Sequence, residues 1–318
     1  MPRLSAGQNS TPPETVDEAQ ATPTRCGHVA LIGAPNAGKS TLLNRLVGHK
    51  LAIVTPKPQT TRTRLLGIAI EGPAQIIYVD TPGIFAPRRR LDRAMVAAAW
   101  SGAEEADETV LLVDAARGVD RDTHRILDRV AERGRESILA LNKIDLVRRD
   151  SLLALADTLS RVGLLNPIFM ISGRTGDGVG DLQRYLASAL PRGPWLFPED
   201  QLSDMPERVI AAEVTREQLF WQLRDELPYG STVETERWDE KKDDSVRIEQ
   251  VIFVQRPSQR AIVLGEGGQR IKAIGTRARV ELERILGRRV HLFLFVKVRE
   301  NWVEDRERYA ALGLDYDV

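Results

Sequence analysis

The sequence predicts an α/β domain with a mostly parallel sheet and helices on both faces, followed by a smaller α+β domain. Three observations predict it. A strand–loop–helix unit with a Gly-rich turn opens the first part, over residues 28–47. Apolar runs that each close on a short polar turn recur at 76–79, 138–141 and 168–171. The pattern then changes after a proline-punctuated stretch, Pro191 to Pro198. The boundaries read from these changes are a disordered tail over 1–26, a first domain over 27–192, a linker over 193–206 and a C-terminal domain over 207–318.

Composition sets the outer limits. The 318 residues, 42% of them hydrophobic, suit two globular domains. No stretch approaches the roughly 20 apolar residues of a membrane span. The first 25 residues lack the apolar segment of a signal peptide, and Glu14, Asp17 and Glu18 argue against a transit peptide. The single cysteine, Cys26, excludes an intrachain disulfide and fits a reducing cytoplasm. Four histidines and one cysteine are too few for a His/Cys metal cluster.

His28 to Ile32 reads as a buried strand and Ser40 to Val47 as a helix with Leu42, Leu43 and Leu46 on its apolar side. Between them stands Gly33-Ala34-Pro35-Asn36-Ala37-Gly38-Lys39-Ser40, followed by Thr41. Glycines let backbone N–H groups converge on phosphate oxygens, and the helix N-terminus adds partial positive charge. Lys39 can reach the β- and γ-phosphates, and the Ser40 hydroxyl can ligate Mg²⁺. The loop implies a nucleoside triphosphate without naming the base.

Asn142-Lys143-Ile144-Asp145 names it. A carboxylate at Asp145 can accept from guanine N1–H and the 2-amino group, whereas adenine would leave it unpaired. Asn142 would brace neighbouring loops, and the Lys143 stem would cover one face of the base. Ser172 and Gly173, after the strand-like Ile168 to Ile171, can back the guanine.

Ile76 to Val79 leads into Asp80-Thr81-Pro82-Gly83. Asp80 is placed to hold Mg²⁺, and the Gly83 N–H can meet the γ-phosphate. Residues 56–64, polar and broken by Pro56 and Pro58, read as a mobile loop. A threonine there can close onto Mg²⁺ when the γ-phosphate is present; Thr61 is the first candidate and Thr60 the second. Lys39, Thr61 and Gly83 are thus the expected catalytic positions, and Ser40, Thr61 and Asp80 the expected Mg²⁺ ligands. Ile84 stands where strong water-positioning chemistry would place a glutamine, so slow intrinsic hydrolysis is expected. Arg62, Arg64 and the run Arg88-Arg89-Arg90 are all open as an arginine finger.

Four ordered elements make a guanine-nucleotide switch domain that binds GTP and GDP with Mg²⁺. Residues 28 to about 192 resemble a Ras-like P-loop GTPase domain of the bacterial ribosome-assembly class, through Pro35 to Asn44, Pro58-Gln59-Thr60-Thr61-Arg62 and Asp80 to Ile84. The resemblance implies that Asn36 ligates K⁺ beside the phosphates; the alternative is that Asn36 only shapes the loop.

In the second part, Thr215 to Leu227 reads as a helix with Thr215 as N-cap, ended by Pro228-Tyr229-Gly230. Ser231 to Glu240 and Val246 to Gln255 read as a strand pair with an acidic tip at Asp239 to Asp244. An apolar segment, Ala261 to Leu264, precedes Gly265-Glu266-Gly267-Gly268. A helix from Gln269 to about Leu286 and a strand from Val290 to Val298 follow. G-x-x-G before an Ile/Lys-rich helix is the KH signature, whose backbone approaches the sugar-phosphate of about four nucleotides. Arg270, Lys272, Arg277 and Arg279 can flank that groove. Residues 255–299 hold eleven Lys/Arg against three acids in a chain of zero formal charge, an electrostatic footprint for nucleic acid.

This order of elements resembles a type II KH domain. With the GTPase domain before it, the chain resembles a family of ribosome-assembly GTPases, and that resemblance implies binding of the 3′ end of 16S ribosomal RNA and action in small-subunit assembly. It also implies a monomer in the cytoplasm with weak peripheral contact at the inner face of the cell membrane. A GTPase acting on another RNA, such as tRNA or large-subunit rRNA, is the alternative. A P-loop ATPase or kinase is disfavoured by Asn142 to Asp145, and a vestigial nucleotide site by Lys39, Ser40 and Asp80. Glu266 departs from the lysine usual in the family loop and would repel phosphate.

Overall fold

The computed structural model describes residues 23–300 and 305–318, with no side-chain description for Glu307, Arg308 and Ala311. The first domain contains β1 (Arg25–Gly33), α1 (Lys39–Val47), β2 (Leu65–Glu71), β3 (Ala74–Asp80), α2 (Arg90–Glu105), β4 (Glu108–Asp114), α3 (Arg121–Arg133), β5 (Ser137–Asn142), α4 (Arg149–Ser160), β6 (Leu165–Met170) and α5 (Val179–Ala189). The six strands form one sheet in the order β2-β3-β1-β4-β5-β6, antiparallel only between β2 and β3. Parallel strands are covered on both faces, which is why they read as unbroken apolar runs. One core packs Leu42, Leu43 and Leu46 of α1 and Leu182 and Leu186 of α5 against Val29, Leu31 and Ile76. The other packs Ala99 and Trp100 of α2, Ile126 of α3 and Leu159 of α4 against Ile32 and Leu139. The C-terminal ends of the parallel strands point their loops to one edge, where open α/β sheets place ligands.

The structure corrects the N-terminal boundary. The expected tail over 1–26 falls outside the described residues up to residue 22, but Arg25 and Cys26 already belong to β1, paired with Ala74 and Gln75 of β3. Periodicity missed them because Arg25 and Gly27 interrupt the apolar run. Residues 193–206 carry no helix or strand, yet they are fastened down. Buried Gln75 accepts from Leu196 N–H (2.8 Å) and Phe197 N–H (3.0 Å), and Ile68 N–H donates to Leu202 O (2.8 Å). This segment thereby covers the exposed side of β2, the edge strand.

The second domain holds α6 (Glu207–Gln222), β7 (Ser231–Glu240), β8 (Val246–Val254), α7 (Pro257–Leu264), α8 (Gln269–Leu286) and β9 (Val290–Val298), with a short α9 (Arg306–Ala311) after them. Its sheet runs β7-β8-β9, with β8 and β9 parallel. Two expectations fail here. The helix starts at Glu207, eight residues before the expected cap. Thr215 lies fully buried inside it, donating to Gln250 Oε1 at 2.5 Å. A buried threonine with a partner on the sheet looks the same in sequence as a capping threonine. Second, the helix ends at Gln222 rather than Leu227. The apolar segment Ala261 to Leu264 is the end of helix α7; Pro257 starts it and the Gln259 side chain accepts from the Gln255 and Arg256 N–H groups.

The acidic tip between β7 and β8 leans on Arg288, which bonds Glu240 (3.2 Å). It therefore sits at the far end of α8 from Gly265–Gly268, about 27 Å along an 18-residue helix. The C-terminal residues return to the first domain: Tyr309 and Leu314 are buried against Ala94 and Met95 of α2.

Candidate functional site

The phosphate loop joins β1 to α1 and takes backbone conformations that its residues were chosen for. Gly38 has φ +98°, and a Cβ there would lie 2.3 Å from Asn142 Nδ2. Asn36, at φ +64°, is among the residue types that tolerate the left-handed region. Its amide donates to Pro56 O (3.0 Å), tying the phosphate loop to residues 56–64. Lys39 is buried, its Nζ donating to Gly33 O (3.0 Å) and Ala34 O (3.2 Å). Burial pulls this ammonium down to about 8, against the pull of Asp80 in the other direction.

Ser40, Thr61 and Asp80 meet. Ser40 Oγ donates to Asp80 Oδ2 (2.8 Å) and lies 2.9 Å from Thr61 Oγ1. Thr61 Oγ1 is 3.5 Å from the same carboxylate oxygen. Thr60 faces elsewhere, bonded to Thr55 Oγ1 (2.7 Å) and Lys57 O (2.8 Å), so geometry separates the two threonines that sequence left in order of preference. Asp80 is fully buried, which pushes its carboxyl up to about 6. Its Oδ1 is buried with no hydrogen-bond partner. Two hydroxyls and a carboxylate with a vacant oxygen form a hard-oxygen set that fits Mg²⁺.

Of the other predicted positions, Gly83 approaches the phosphate loop so closely that a Cβ would stand 2.9 Å from Pro35 Cα. The Thr81 side chain is buried and donates to Leu31 O (2.8 Å), which leaves only its backbone to face a nucleotide. Ile84 is buried in the core beside Ala34 and Ala99, so it offers no side chain for positioning water. Four of the five candidate arginine fingers are engaged elsewhere: Arg64 pairs with Glu105 (2.9 Å), Arg89 with Glu226 (3.6 Å), Arg90 stacks on Tyr316, and Arg62 enters the second domain. Residues 56–64, expected to be mobile, have no regular structure but are held. Arg62 donates to the carbonyls of Ser231 (2.9 Å) and Tyr229 (2.9 Å), and Lys57 donates to Leu223 O.

Asn142 braces three loops. Its Nδ2 donates to Ala37 O (2.8 Å), and its Oδ1 accepts from Lys143 N–H (2.8 Å) and Gly173 N–H (2.9 Å). Lys143, at φ +67°, pairs with Asp114 (2.6 Å). Asp145 accepts from Ser172 Oγ and Arg174 Nη2, each at 2.6 Å, and these bonds hold its carboxyl below the usual range. A base using both oxygens of Asp145 would share them with Ser172 and Arg174, since each carboxylate oxygen can accept a second hydrogen bond. A cleft of about 720 Å³ is lined by Asn36, Lys39, Ser40, Thr61, Gly83 and Lys143, though not by Asp145, and also by Arg117, Arg174 and Trp221. Sequence reasoning missed all three. Arg174 stands one residue beyond Gly173 and was within reach of the motif; Trp221 comes from α6 of the other domain and had no local signal.

The second site is the groove between α8 and the edge of β9. It measures about 330 Å³ and is lined by Ile271, Lys272, Gly275, Thr276 and Arg279 on α8 and Leu292, Phe293 and Leu294 on β9. Gly265, Gly267 and Gly268 all have positive φ, and a Cβ at Gly265 would lie 2.7 Å from Arg270 Cβ. Glu266 is exposed on this loop. Arg270 donates to Ile262 O (2.7 Å), and Arg279 forks onto Glu283 (2.9 Å to both oxygens). Arg277 does not line the groove; five positions on from Lys272, it lies about 140° around the helix. Phe293, half-exposed beside the groove, was missed because an apolar strand reads as core.

Comparison with known proteins agrees with this architecture. A family model described as a 50S ribosome-binding GTPase matches residues 28–143, and a KH domain model matches residues 226–303. The chain is 59% identical to GTPase Era of Rhizobium meliloti over 298 residues, covering 94% of this chain and 95% of that one. It is 57% identical to GTPase Era of Afipia carboxidovorans, with 96% and 99% covered. Among solved structures, Aquifex aeolicus Era bound to GDP·AlF4⁻ superposes with a TM-score of 0.86 at 38% identity, covering 91% of this chain and 99% of that one. Era in complex with MgGDPNP and nucleotides 1506–1542 of 16S ribosomal RNA matches with the same score, identity and coverage.

Proposed function

The chain belongs to the Era family of GTPases, and on that footing we propose that it is a GTP-driven switch that engages the 3′ end of 16S ribosomal RNA during assembly of the small ribosomal subunit. The observation that carries this reading is the joining, in one chain, of the Ser40–Thr61–Asp80 cluster to the groove of α8 and β9. A relative with the same two-domain arrangement was crystallised with both ligands together.

The reaction gives GDP and phosphate. A water oxygen bonds to the γ-phosphorus as the bond from that phosphorus to the β–γ bridging oxygen breaks, and the water's protons leave to solvent and phosphate. Lys39 and the backbone N–H groups of Asn36 to Thr41 hold the phosphates and take up charge that spreads over the transferring group. Ser40, Thr61 and Asp80 would hold Mg²⁺, which would supply charge neutralisation to the phosphates. Gly83 N–H reads the γ-phosphate. Asn142 fixes the three loops, and Asp145, backed by Ser172 and Gly173, selects guanine. In the same reading Asn36, at the junction of the phosphate loop and residues 56–64, would hold K⁺, which would supply charge neutralisation beside the phosphates. Buried Ile84 supports slow hydrolysis, so the output is the timing of RNA release.

In the groove, the Gly265–Gly268 backbone approaches the sugar-phosphate chain while bases lie along Ile271, Leu292 and Phe293. Lys272 offers the free positive charge, with Arg270 and Arg279 beside it. The protein works as a monomer in the cytoplasm, with peripheral contact at the inner membrane face resting on resemblance alone; no described helix is long and apolar enough to cross a membrane.

The test is binding of a 16S 3′-end oligonucleotide to the full chain loaded with GDP or a nonhydrolysable GTP analogue at fixed salt. Tighter binding with the analogue, lost in Lys272→Glu, is expected. Equal binding in both states would remove the switch and leave two independent activities.

A further inference from the structure

Thr61 meets Ser40 and Asp80 although the loop that carries it has no regular secondary structure. What holds the loop lies in the second domain, on both sides of Thr61. On one side, the Thr60 carbonyl accepts from Arg216 Nη2 of α6 at 2.5 Å. Arg216 is 2% exposed and is itself aligned by an ion pair with Glu213. On the other side, the Arg62 guanidinium is buried in the turn before β7. Its Nη1 donates to Ser231 O (2.9 Å) and its Nη2 to Pro228 O (3.2 Å) and Tyr229 O (2.9 Å). A planar fork matched to three carbonyls fixes both position and orientation, which a lysine ammonium would not. Gln59, just upstream, adopts φ +56°, a left-handed conformation that a non-glycine residue keeps only when its surroundings impose it.

The remainder of the loop is tied to the same domain. Val54 N–H donates to Glu217 Oε1 (2.9 Å), and Lys50 bridges Glu217 of α6 and Glu281 of α8 at 2.7 and 3.0 Å. Burying two guanidiniums near each other is costly; burial and the neighbouring Arg216 draw Arg62 down to about 9. The carbonyl acceptors offset that cost only while the two domains stay in register.

We propose that the second domain sets the Mg²⁺-binding position of Thr61, with Arg62 and Arg216 as positioning residues for the GTP-bound state. This rests on the reading of Thr61 as an Mg²⁺ ligand. It reverses the usual direction of description: the RNA-binding domain builds part of the nucleotide site, so whatever moves α6 or the 228–231 turn moves Thr61 as well. GDP lacks the γ-phosphate toward which Thr61 closes, so the effect is confined to GTP.

The experiment uses the full chain and measures the Mg²⁺ concentration at half-maximal binding of a fluorescent nonhydrolysable GTP analogue, with GDP affinity measured in parallel. Arg62→Ala and Arg216→Ala are expected to raise that concentration by about 10- to 100-fold, the usual cost of losing a group that orients a metal ligand. GDP affinity is expected to stay unchanged. Thr61→Ala should show the same shift, and adding Arg62→Ala to it should raise the requirement no further, because the arginine acts through the threonine. Equal losses for GDP and the analogue, additive shifts in the double variant, or an unchanged Mg²⁺ requirement in a folded variant would each overturn the proposal. Melting curves identify variants that do not fold; Arg216→Lys, which keeps the charge and loses the fork, then carries the test with the same expected split. The parent protein separates the two levels of failure. If its own analogue binding needs no Mg²⁺, the reading of Ser40, Thr61 and Asp80 fails. If Thr61→Ala shifts the requirement while both arginine variants do not, only the role of the second domain fails.

Discussion

The nucleotide cleft and the α8–β9 groove are built from opposite materials. In the cleft, the key charged groups are buried on fixed partners: Lys39 is hidden on two loop carbonyls, Asp80 is hidden on the Ser40 hydroxyl, and Asn142 bonds three loops at once. In the groove, Lys272 is exposed, Phe293 is half-exposed, and Arg279 rests on Glu283. The difference follows from the ligands. A triphosphate has one shape and dense charge, so fixed donors in a dry site act strongly on it. Single-stranded RNA is extended and pliant, so a basic edge beside an apolar surface suffices, at the cost of salt sensitivity.

If that contrast is right, the largest effects of substitution belong to the cleft. Asp145→Asn removes an acceptor for two charge-assisted hydrogen bonds, together about 3–6 kcal/mol, so GTP affinity should drop by about 10³-fold. Titration with GTP and with xanthosine triphosphate checks it, since the amide can donate to the 2-oxo group; an unchanged preference for GTP would mean that guanine is read elsewhere. Lys39→Ala should slow single-turnover hydrolysis by about 10²- to 10³-fold, the scale for losing one preorganised donor. RNA affinity in the GDP state should not move, and a parallel loss there would show that the two sites are not separable.

Effects in the groove should be smaller and salt-dependent. Gly265→Ala forces a Cβ to within 2.7 Å of Arg270 Cβ at φ +72°. Strain of about 1–3 kcal/mol is expected to weaken RNA binding about tenfold or more without touching GTP affinity. Filter binding and nucleotide titration on the same preparation decide this. Smallest is a gain: Glu266→Lys should tighten RNA binding and steepen its log–log salt dependence by about one unit. No change in slope would place Glu266 away from the phosphates.

Legibility in the sequence followed the same division. The phosphate loop, Asp80 to Gly83 and Asn142 to Asp145 are contiguous because each spans the end of one strand, so backbone chemistry and base selection are written locally. The strands of the parallel sheet were readable as apolar runs, within a few residues at their ends, because both faces are covered. The groove was half readable. Its glycines and Lys272 are local signals, but Phe293 belongs to a strand placed beside α8 only by the parallel pairing of β8 and β9. Arg277 lies away from the groove lining, because charge near the loop says nothing of which way a helix has turned. Thr215 was misassigned because a cap and a buried hydrogen bond call for the same residue type.

By itself, then, the sequence determined the ligand classes: phosphate from Gly33 to Ser40, guanine from Asp145, and a sugar-phosphate backbone from Gly265 to Gly268. These depend on spacings of a few residues, which covalent geometry carries unaided. Only the tertiary structure decided which threonine meets Asp80, and that the neighbours of Thr61 are held by Arg216 and by the turn at Pro228 to Ser231, more than 150 positions away. A loop without regular hydrogen bonding takes its conformation from whatever packs against it, and that information lies in another part of the chain.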